Sequence, residues 1–382
     1  MAGPRRIVYL TGTRADFGLM AGTLRGLHDQ PGTQVSLLVT GMHLSAQFGM
    51  TVNEVEALGL PVAARIALNV DDRSQQGMAQ AVGQAVTGIA QALADERPDL
   101  LLLLGDRGEM LAGAIAALHL AVPVAHLHGG ERSGTVDEPM RHAITKLSHL
   151  HLVATEESRD RVVRMGELPR HIFVVGAPSL DDVVHRQQTP RGQVLDALGV
   201  PAGARYALVL FHPVVQEAAH AHAQVEALVA ALRAEVLGRG RHIVWLAPNA
   251  DAGSAVIVEA MRRSGDSRVH CVTHLPRARY LDAMACADVL VGNSSSGIIE
   301  AASLGTPVVN IGNRQRLRQR NANTLDCEGD AASIGSALAL ALERARFSPG
   351  NVYGDGRSAG RIVALLAAVP LPASLLDKSN AY

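Results

Sequence analysis

The chain has 382 residues, of which 48% are hydrophobic but only 3% aromatic, and it carries 35 Lys and Arg against 36 Asp and Glu. That length exceeds what one hydrophobic core organises, so two domains are expected, and an interior of Ala, Val, Leu and Ile suits helix-on-sheet layers rather than a β-sandwich. A net charge of −1 excludes a global field for nucleic acid or an anionic membrane surface, so an anionic ligand requires a local pocket.

The amino terminus, MAGPRRIVYLTGT, sets two arginines before an apolar stretch of about six residues, too short for a signal sequence. No apolar run approaches a membrane span, and a cytoplasmic location is expected. Cys271, Cys286 and Cys327 are odd in number and widely spaced, which reads as buried, reduced thiols.

Short β-branched and Leu-rich runs alternate with longer stretches of helical period, the pattern of parallel strands joined by crossover helices. The strands of a first series are RIVYLTG, QVSLLVTG, DLLLLLGD, VPVAHLHG, LHLVAT and HIFVVGAP. A second series is RYALVLFHP, RHIVWLAPN, RVHCVTH, ADVLVGN and TPVVNIG, and between the two lies DDVVHRQQTPRGQVLDALGVPAGA, the best linker candidate. The predicted fold class is α/β, with two Rossmann-like halves.

In open parallel sheets ligands bind beyond the carboxyl ends of the strands, so the residues following each strand are the candidates. TGTRADFG supplies Gly12, Arg14 and Asp16 at a helix start, where amides and a guanidinium suit an anion. Asp106 and Arg107 follow five leucines. The next strand runs into HLHGGERSGTVDEPMRH, which offers His126, His128, Glu131, Asp137, Glu138, Arg141 and His142. Metal binding by His126 and His128 is the weaker reading, because their shared face ends with the strand and no third ligand is evident. A helix capped by Asp137 with Pro139 in its first turn accounts for part of the segment but not for its histidines.

In the second half FHP places His212 after a strand, and Asn249 and Asp251 follow the next strand; a plain strand-ending turn explains each equally well. GNSSSGIIEAASLG places Asn293, Ser294, Ser295 and Ser296 before a helix opened by Gly297, with Glu300 in its first turn. Such hydroxyls and free amides suit a phosphate, and the acid suits a ribose diol, while a serine-capped helix is the plain alternative. NRQRLRQRN then adds Arg314, Arg316, Arg318 and Arg320, a diphosphate clamp or a solvated face.

Eight blocks, TGTRADFGLM, TGMHLS, LGDRGEML, HLHGGERSGTVDEPMRHAITK, FHPV, PNADAGS, HLPRARYLDAM and GNSSSGIIEAASLGTPVVNIGNRQ, occur in an order and spacing that resemble the hydrolysing UDP-N-acetylglucosamine 2-epimerases of bacterial sialic-acid and legionaminic-acid biosynthesis. The resemblance covers nearly the whole chain. It implies a GT-B architecture, with residues 1–177 and 178–354 as Rossmann-like domains facing across a cleft and residues 355–382, containing GRSAGRIVALLAAV, as a helix returning to the first domain. It also implies anti elimination of UDP from UDP-GlcNAc to a 2-acetamidoglucal, then syn hydration to N-acetylmannosamine for sialic-acid-type nonulosonates. A UDP-2,4-diacetamido-2,4,6-trideoxy sugar meets the same C2 chemistry and is the alternative substrate.

By the same resemblance Asp106 and Glu138 match acids assigned to proton transfer, and His212 matches the histidine of the second domain. Arg14, Ser294, Ser295, Glu300, Arg314 and Arg318 match nucleotide-binding positions, Glu300 at the ribose. Asp16, His43, Arg107, Asn249, Asn293, Ser296 and Gly297 are grouped with them, and Tyr280 is either an aromatic near the uracil or a core residue. Many relatives have glutamate where this chain has His128, so the C2 base lies among Asp106, His128 and Glu131. A non-hydrolysing epimerase or GT-B glycosyltransferase shares the fold, and a non-catalytic sugar-nucleotide module is the reading from another class. No cofactor or metal is expected. The expected partners are a nucleotide sugar and further copies of the chain in a dimer or tetramer, with the helix around Ile89–Arg97 or the apolar face of MLAGAIAALHL as the interface.

Overall fold

The structure, a computed structural model, describes residues 3–72, 74–133, 136–248 and 253–381. The chain divides into two compact units: unit 1 is Met1–Glu131, Asp137–Asp181 and Tyr353–Tyr382, and unit 2 is Arg132–Val136 with Asp182–Val352.

Unit 1 is a parallel sheet of β1 (Arg5–Thr11), β2 (Thr33–Thr40), β3 (Val62–Ile66), β4 (Leu100–Leu104), β5 (Val124–Leu127), β6 (Leu150–Val153) and β7 (Ile172–Val174), in the order β3-β2-β1-β4-β5-β6-β7. Its helices are α1 (Arg14–Asp29), α2 (Val52–Ala57), α3 (Gln75–Glu96), α4 (Gly108–His119), α5 (Asp137–Leu147) and α6 (Glu156–Arg164), while α7 (Ser179–His185) straddles the boundary. Unit 2 contains α8 (Arg191–Ala197), α9 (Ala221–Glu235), α10 (Ser254–Arg262), α11 (Arg277–Cys286), α12 (Ser295–Ile299) and α13 (Ala331–Glu343); α14 (Ser358–Ala368) belongs to unit 1. The sheet of unit 2 is also parallel, with β8 (Tyr206–Leu210), β9 (His242–Leu246), β10 (Val269–Val272), β11 (Val289–Gly292), β12 (Val308–Ile311) and β13 (Thr324–Cys327) in the order β10-β9-β8-β11-β12-β13.

The five-leucine run becomes β4 because both of its faces are covered. Leu100, Leu102 and Leu104 pack with Ile7, Tyr9, Leu24 and the α14 residues Ile362 and Leu366, while Leu101 and Leu103 pack with Val8, Leu10, Ile89 and Met110 on the other side. Helix starts are set by local chemistry, as at α1, where Thr13 and Asp16 form a capping box.

Three expectations, on edge strands, cysteines and interface faces, are corrected. Two edge strands, β3 and β13, join the sheets although VAARI and TLDC lack the apolar weight of a buried strand; an edge strand has one bonded neighbour and a partly solvated face. The linker candidate contains the boundary between the units, at Asp181–Asp182, and is half helical, holding part of α7 and all of α8. The cysteines are free but not buried, Cys271 being exposed and Cys286 and Cys327 half-buried. The apolar faces offered as an interface are consumed by the core of unit 1, which contains Ile89, Met110, Ala112, Ala114, Ala116 and Ala117, leaving Leu118 and Leu120 outside. Among the described residues no helix is long and apolar enough to cross a membrane.

Candidate active site

Parallel strands end on a common edge of their sheet, so unit 1 brings the residues after β1, β2, β4 and β5 to one side. After β1 the Asp16 carboxylate accepts the amides of Thr13 and Gly12 at 2.8 and 3.2 Å, the Thr13 hydroxyl at 2.8 Å and the Thr11 hydroxyl. The amides offered to an external anion by the sequence pattern are therefore taken by the chain's own carboxylate. Burial pushes that carboxyl up to about 6, against the pull of its hydrogen bonds from Thr11, Thr13 and Gly12. His43 lies beside it, with Nε2 2.9 Å from Thr11 Oγ1 and Nδ1 2.8 Å from Thr51 Oγ1, and burial lowers its imidazole to about 4. Asp16 and His43 thus face inward as scaffold under the β1–α1 turn. Arg14, the first residue of α1, is half-buried, and Arg107 Nε stands 3.5 Å from Glu109 Oε2 at the start of α4.

The crowded stretch after β5 resolves into two linked pairs. His128 has φ +63°, a left-handed conformation that a non-glycine residue adopts at a cost and that points to functional constraint. The reversal ends the strand alternation and parts the two histidines once weighed as metal ligands. His126, fully buried and lowered to about 3, turns to the Gly105 carbonyl at 2.7 Å and the Thr145 hydroxyl at 3.2 Å. His128 turns its Nδ1 to the carboxylate of Glu131, itself only 3% exposed. Arg141, 1% exposed on α5, pairs with Asp106 and donates to the Glu131 carbonyl at 3.1 Å. One guanidinium therefore ties the residue after β4 to the segment after β5.

Arg141 is the residue whose role the sequence did not disclose. It sits in the polar first half of a helix where any arginine looks solvated, and the only signal was its spacing of four from Asp137 and three from Glu138. Glu138 lies half-buried on the first turn of α5, 3.7 Å from His142.

In unit 2 the ends of β8 and β11 are clamped side by side. The Asn293 amide accepts from the His212 backbone N–H at 2.7 Å and donates to its carbonyl at 2.8 Å. Both polar ends of that side chain are spent on placing His212. The approach of the strands needs Gly292, at φ +142°, where an added Cβ would lie 2.0 Å from the Leu210 carbonyl oxygen. Gly292→Ala is expected to destabilise unit 2 by about 3 kcal/mol, read as an earlier urea transition of the buried Trp245 fluorescence; an unshifted transition would contradict the close approach.

Ser294 caps the five-residue helix α12, and its Oγ lies 3.0 Å from Ser296 Oγ, which bonds the Tyr280 hydroxyl. Ser295 opens α12, and Gly297 is buried against Val308 and Leu290 rather than at the helix start. Glu300 is likewise displaced from its expected place. It follows the end of α12 and is buried in an ion pair with Arg277, a partner the sequence reading missed inside HLPRARYLDAM. Burial works against the charge of Arg277, but the Glu300 carboxylate outweighs it and raises the guanidinium above its ordinary range.

The arginine run after β12 separates by partner. Arg314 donates to the Asn293 carbonyl at 3.0 Å and Arg320 pairs with Asp326 at 2.9 Å, while Arg318 is half-buried between them in sequence. Asn249 and Asp251 lie outside the described residues.

The sequence model of the family described as UDP-N-acetylglucosamine 2-epimerase matches residues 25–367. The chain belongs to the UDP-N-acetylglucosamine 2-epimerase family. Within it, the chain is 45% identical over 379 residues, 99% of its length and 100% of the relative's, to the UDP-N,N'-diacetylbacillosamine 2-epimerase (hydrolyzing) of Legionella pneumophila. It is 32% identical to the UDP-N-acetylglucosamine 2-epimerase of Neisseria meningitidis, over 92% of this chain and 91% of that one. The crystal structure of a UDP-GlcNAc 2-epimerase from N. meningitidis bound to UDP-GlcNAc superposes with a TM-score of 0.79 at 17% identity, covering 94% of this chain and 99% of that one, a likeness of fold. The expected family and the pair of parallel α/β units both hold.

Proposed function

We propose that this 2-epimerase family member is a hydrolysing enzyme, which releases UDP from a UDP-2-acetamido sugar and returns the free sugar inverted at C2. The carrying observation is the His128–Glu131 dyad tied through Arg141 to Asp106. Glu131 accepts the Nδ1 proton of His128, which puts the imidazole lone pair on Nε2 and makes His128 the C2 base. Loss of the C2 proton and of the C1–O bond to UDP gives a C1=C2 glycal. Water then adds, its hydroxyl to C1 and a proton to C2 from the face opposite the base, with Asp106 and Glu138 as the remaining proton-transfer groups. His212, Ser294, Ser295, Arg314 and Arg318 of unit 2 are the groups assigned to the departing diphosphate, and Glu300 to the ribose.

The substrate proposed first is the UDP-2,4-diacetamido-2,4,6-trideoxy sugar, supported by 45% identity to the L. pneumophila enzyme named for UDP-N,N'-diacetylbacillosamine. UDP-GlcNAc is the second reading, supported by the 32% identity to the N. meningitidis relative. Proton NMR with each nucleotide sugar in D2O tests both. Free UDP and a free manno-configured sugar deuterated at C2 are expected, with the larger kcat/KM for the diacetamido substrate; a UDP-linked product or no turnover of either overturns the reading. Asp106→Asn is expected to lose at least about 100-fold in turnover while still binding UDP, and Arg318→Ala to weaken UDP binding about tenfold.

A further inference from the structure

The last residues of the chain contact α5 at the end away from its acids. Lys378 Nζ donates to the carbonyls of Thr145 at 3.2 Å, Lys146 at 2.7 Å and Ser148, and lies 2.8 Å from Glu167 Oε2. These carbonyls belong to the final turn of α5 and the residue just beyond it, where a helix leaves carbonyls without their i+4 amides, although that of Thr145 also accepts the Ser148 amide at 3.1 Å. Two neighbours complete the attachment. Lys146 Nζ bonds Asn380 Oδ1 at 2.7 Å and Glu167 Oε1 at 2.6 Å, and the Ala381 amide donates to the Gly166 carbonyl at 2.8 Å.

The opposite end of the same helix carries Glu138, and its middle carries Arg141, which holds Asp106 and the Glu131 carbonyl. An α-helix transmits position along its length, and α5, at 11 residues, is roughly 16 Å long. Thr145, whose carbonyl Lys378 holds, also bonds the Arg141 carbonyl at 3.0 Å through its hydroxyl and meets His126 at 3.2 Å.

We infer that Lys378 is a positioning residue for the reaction: with Asn380 it fastens the carboxyl end of α5, while Ala381 holds the tail to Gly166 beside it, and it thereby sets Glu138 and the Arg141–Asp106 pair. Glu167 bridges Lys146 and His151 independently of the tail, its Oε1 2.6 Å from Lys146 Nζ and its Oε2 3.0 Å from His151 Nε2, so removing the tail loosens α5 without dismantling the cluster beneath it. The inference rests on the hydrolysing reading for its kinetic arm only.

The test compares the full chain with Lys378→Met, Lys378→Arg and a chain ending at Asp377, measuring kcat and KM, UDP affinity and amide exchange by mass spectrometry. For Lys378→Met and the shortened chain kcat is expected to fall about tenfold. KM and UDP affinity should stay within twofold, and exchange should quicken along 138–148 but not in β1 or β4. Lys378→Arg, which keeps a cation and its donors, should recover at least a third of kcat. Unchanged kcat and exchange on losing the tail would overturn the inference, and so would exchange rising equally in β1 and β4, which marks general loosening. If the parent chain turns over no nucleotide sugar, the hydrolysing reading fails, while the exchange pattern still decides whether the tail holds α5.

Discussion

Acidification from pH 6.5 to 4 is expected to strip unit 1 of several kcal/mol of stability, most steeply around pH 5. Burial holds His43 and His149 down at about 4 and His126 at about 3, so all three stay neutral in the folded unit while the unfolded chain protonates them near 6.5. The stability they contribute is complete above pH 6.5 and is lost as the pH falls toward their folded values. Asp16 acts in the opposite sense. Its folded carboxyl keeps a proton up to about 6, whereas the unfolded one releases it near 3.8, so acidification through that window returns part of what the histidines lose. Among these four groups the unfolded chain thus binds about two protons more than the folded unit near pH 5, and burial of His142, His151 and His171, whose imidazoles are also held down, adds to the loss. Exchange of the amides of Ile7–Leu10 and Leu100–Leu104, measured from pH 7 to 4.5, reads unit 1 directly, while Trp245, the chain's single tryptophan, reports unit 2. A flat response of those amides would mean that the three imidazoles are not held neutral.

Glu131→Gln is expected to lower turnover about 1,000-fold with UDP affinity unchanged. The carboxylate only accepts, so it selects the His128 tautomer whose Nδ1 carries the proton. A glutamine amide can donate to Nδ1 instead, which moves the ring proton to Nε2 and removes the lone pair from the side assigned to the sugar. Glutamine is nearly isosteric, and the Arg141 bond runs to the main-chain carbonyl of residue 131, so the fold should tolerate the change. Single-turnover release of UDP is the measurement. A rate near that of the parent would move the C2 base away from His128.

Legibility in the sequence followed the strength of local signals. Strands covered on both faces, such as Leu100–Leu104 and Tyr206–Leu210, announce themselves as unbroken apolar runs, and α1 carries its start in Thr13 and Asp16. Val62–Ile66 and Thr324–Cys327 carry no comparable signal, because an edge strand is held by its one neighbour rather than by its own composition. The candidate site behaved likewise. Asp106, His128 and Glu131 could be chosen because they follow strands, but their pairing could not, since it depends on the positive φ of His128 and on an arginine ten residues beyond Glu131.

Read alone, the order of apolar runs and the eight motif blocks establish the α/β class, the two nucleotide-fold units and the family, because these depend on periodicity and on residue types at fixed spacing. Which charged groups meet was settled by packing. Asp16 closes on its own amides, Asn293 grips His212, Glu300 takes Arg277, and Lys378 reaches back 230 positions to Ser148, each because a buried polar group must find a partner wherever the fold brings one within about 3 Å.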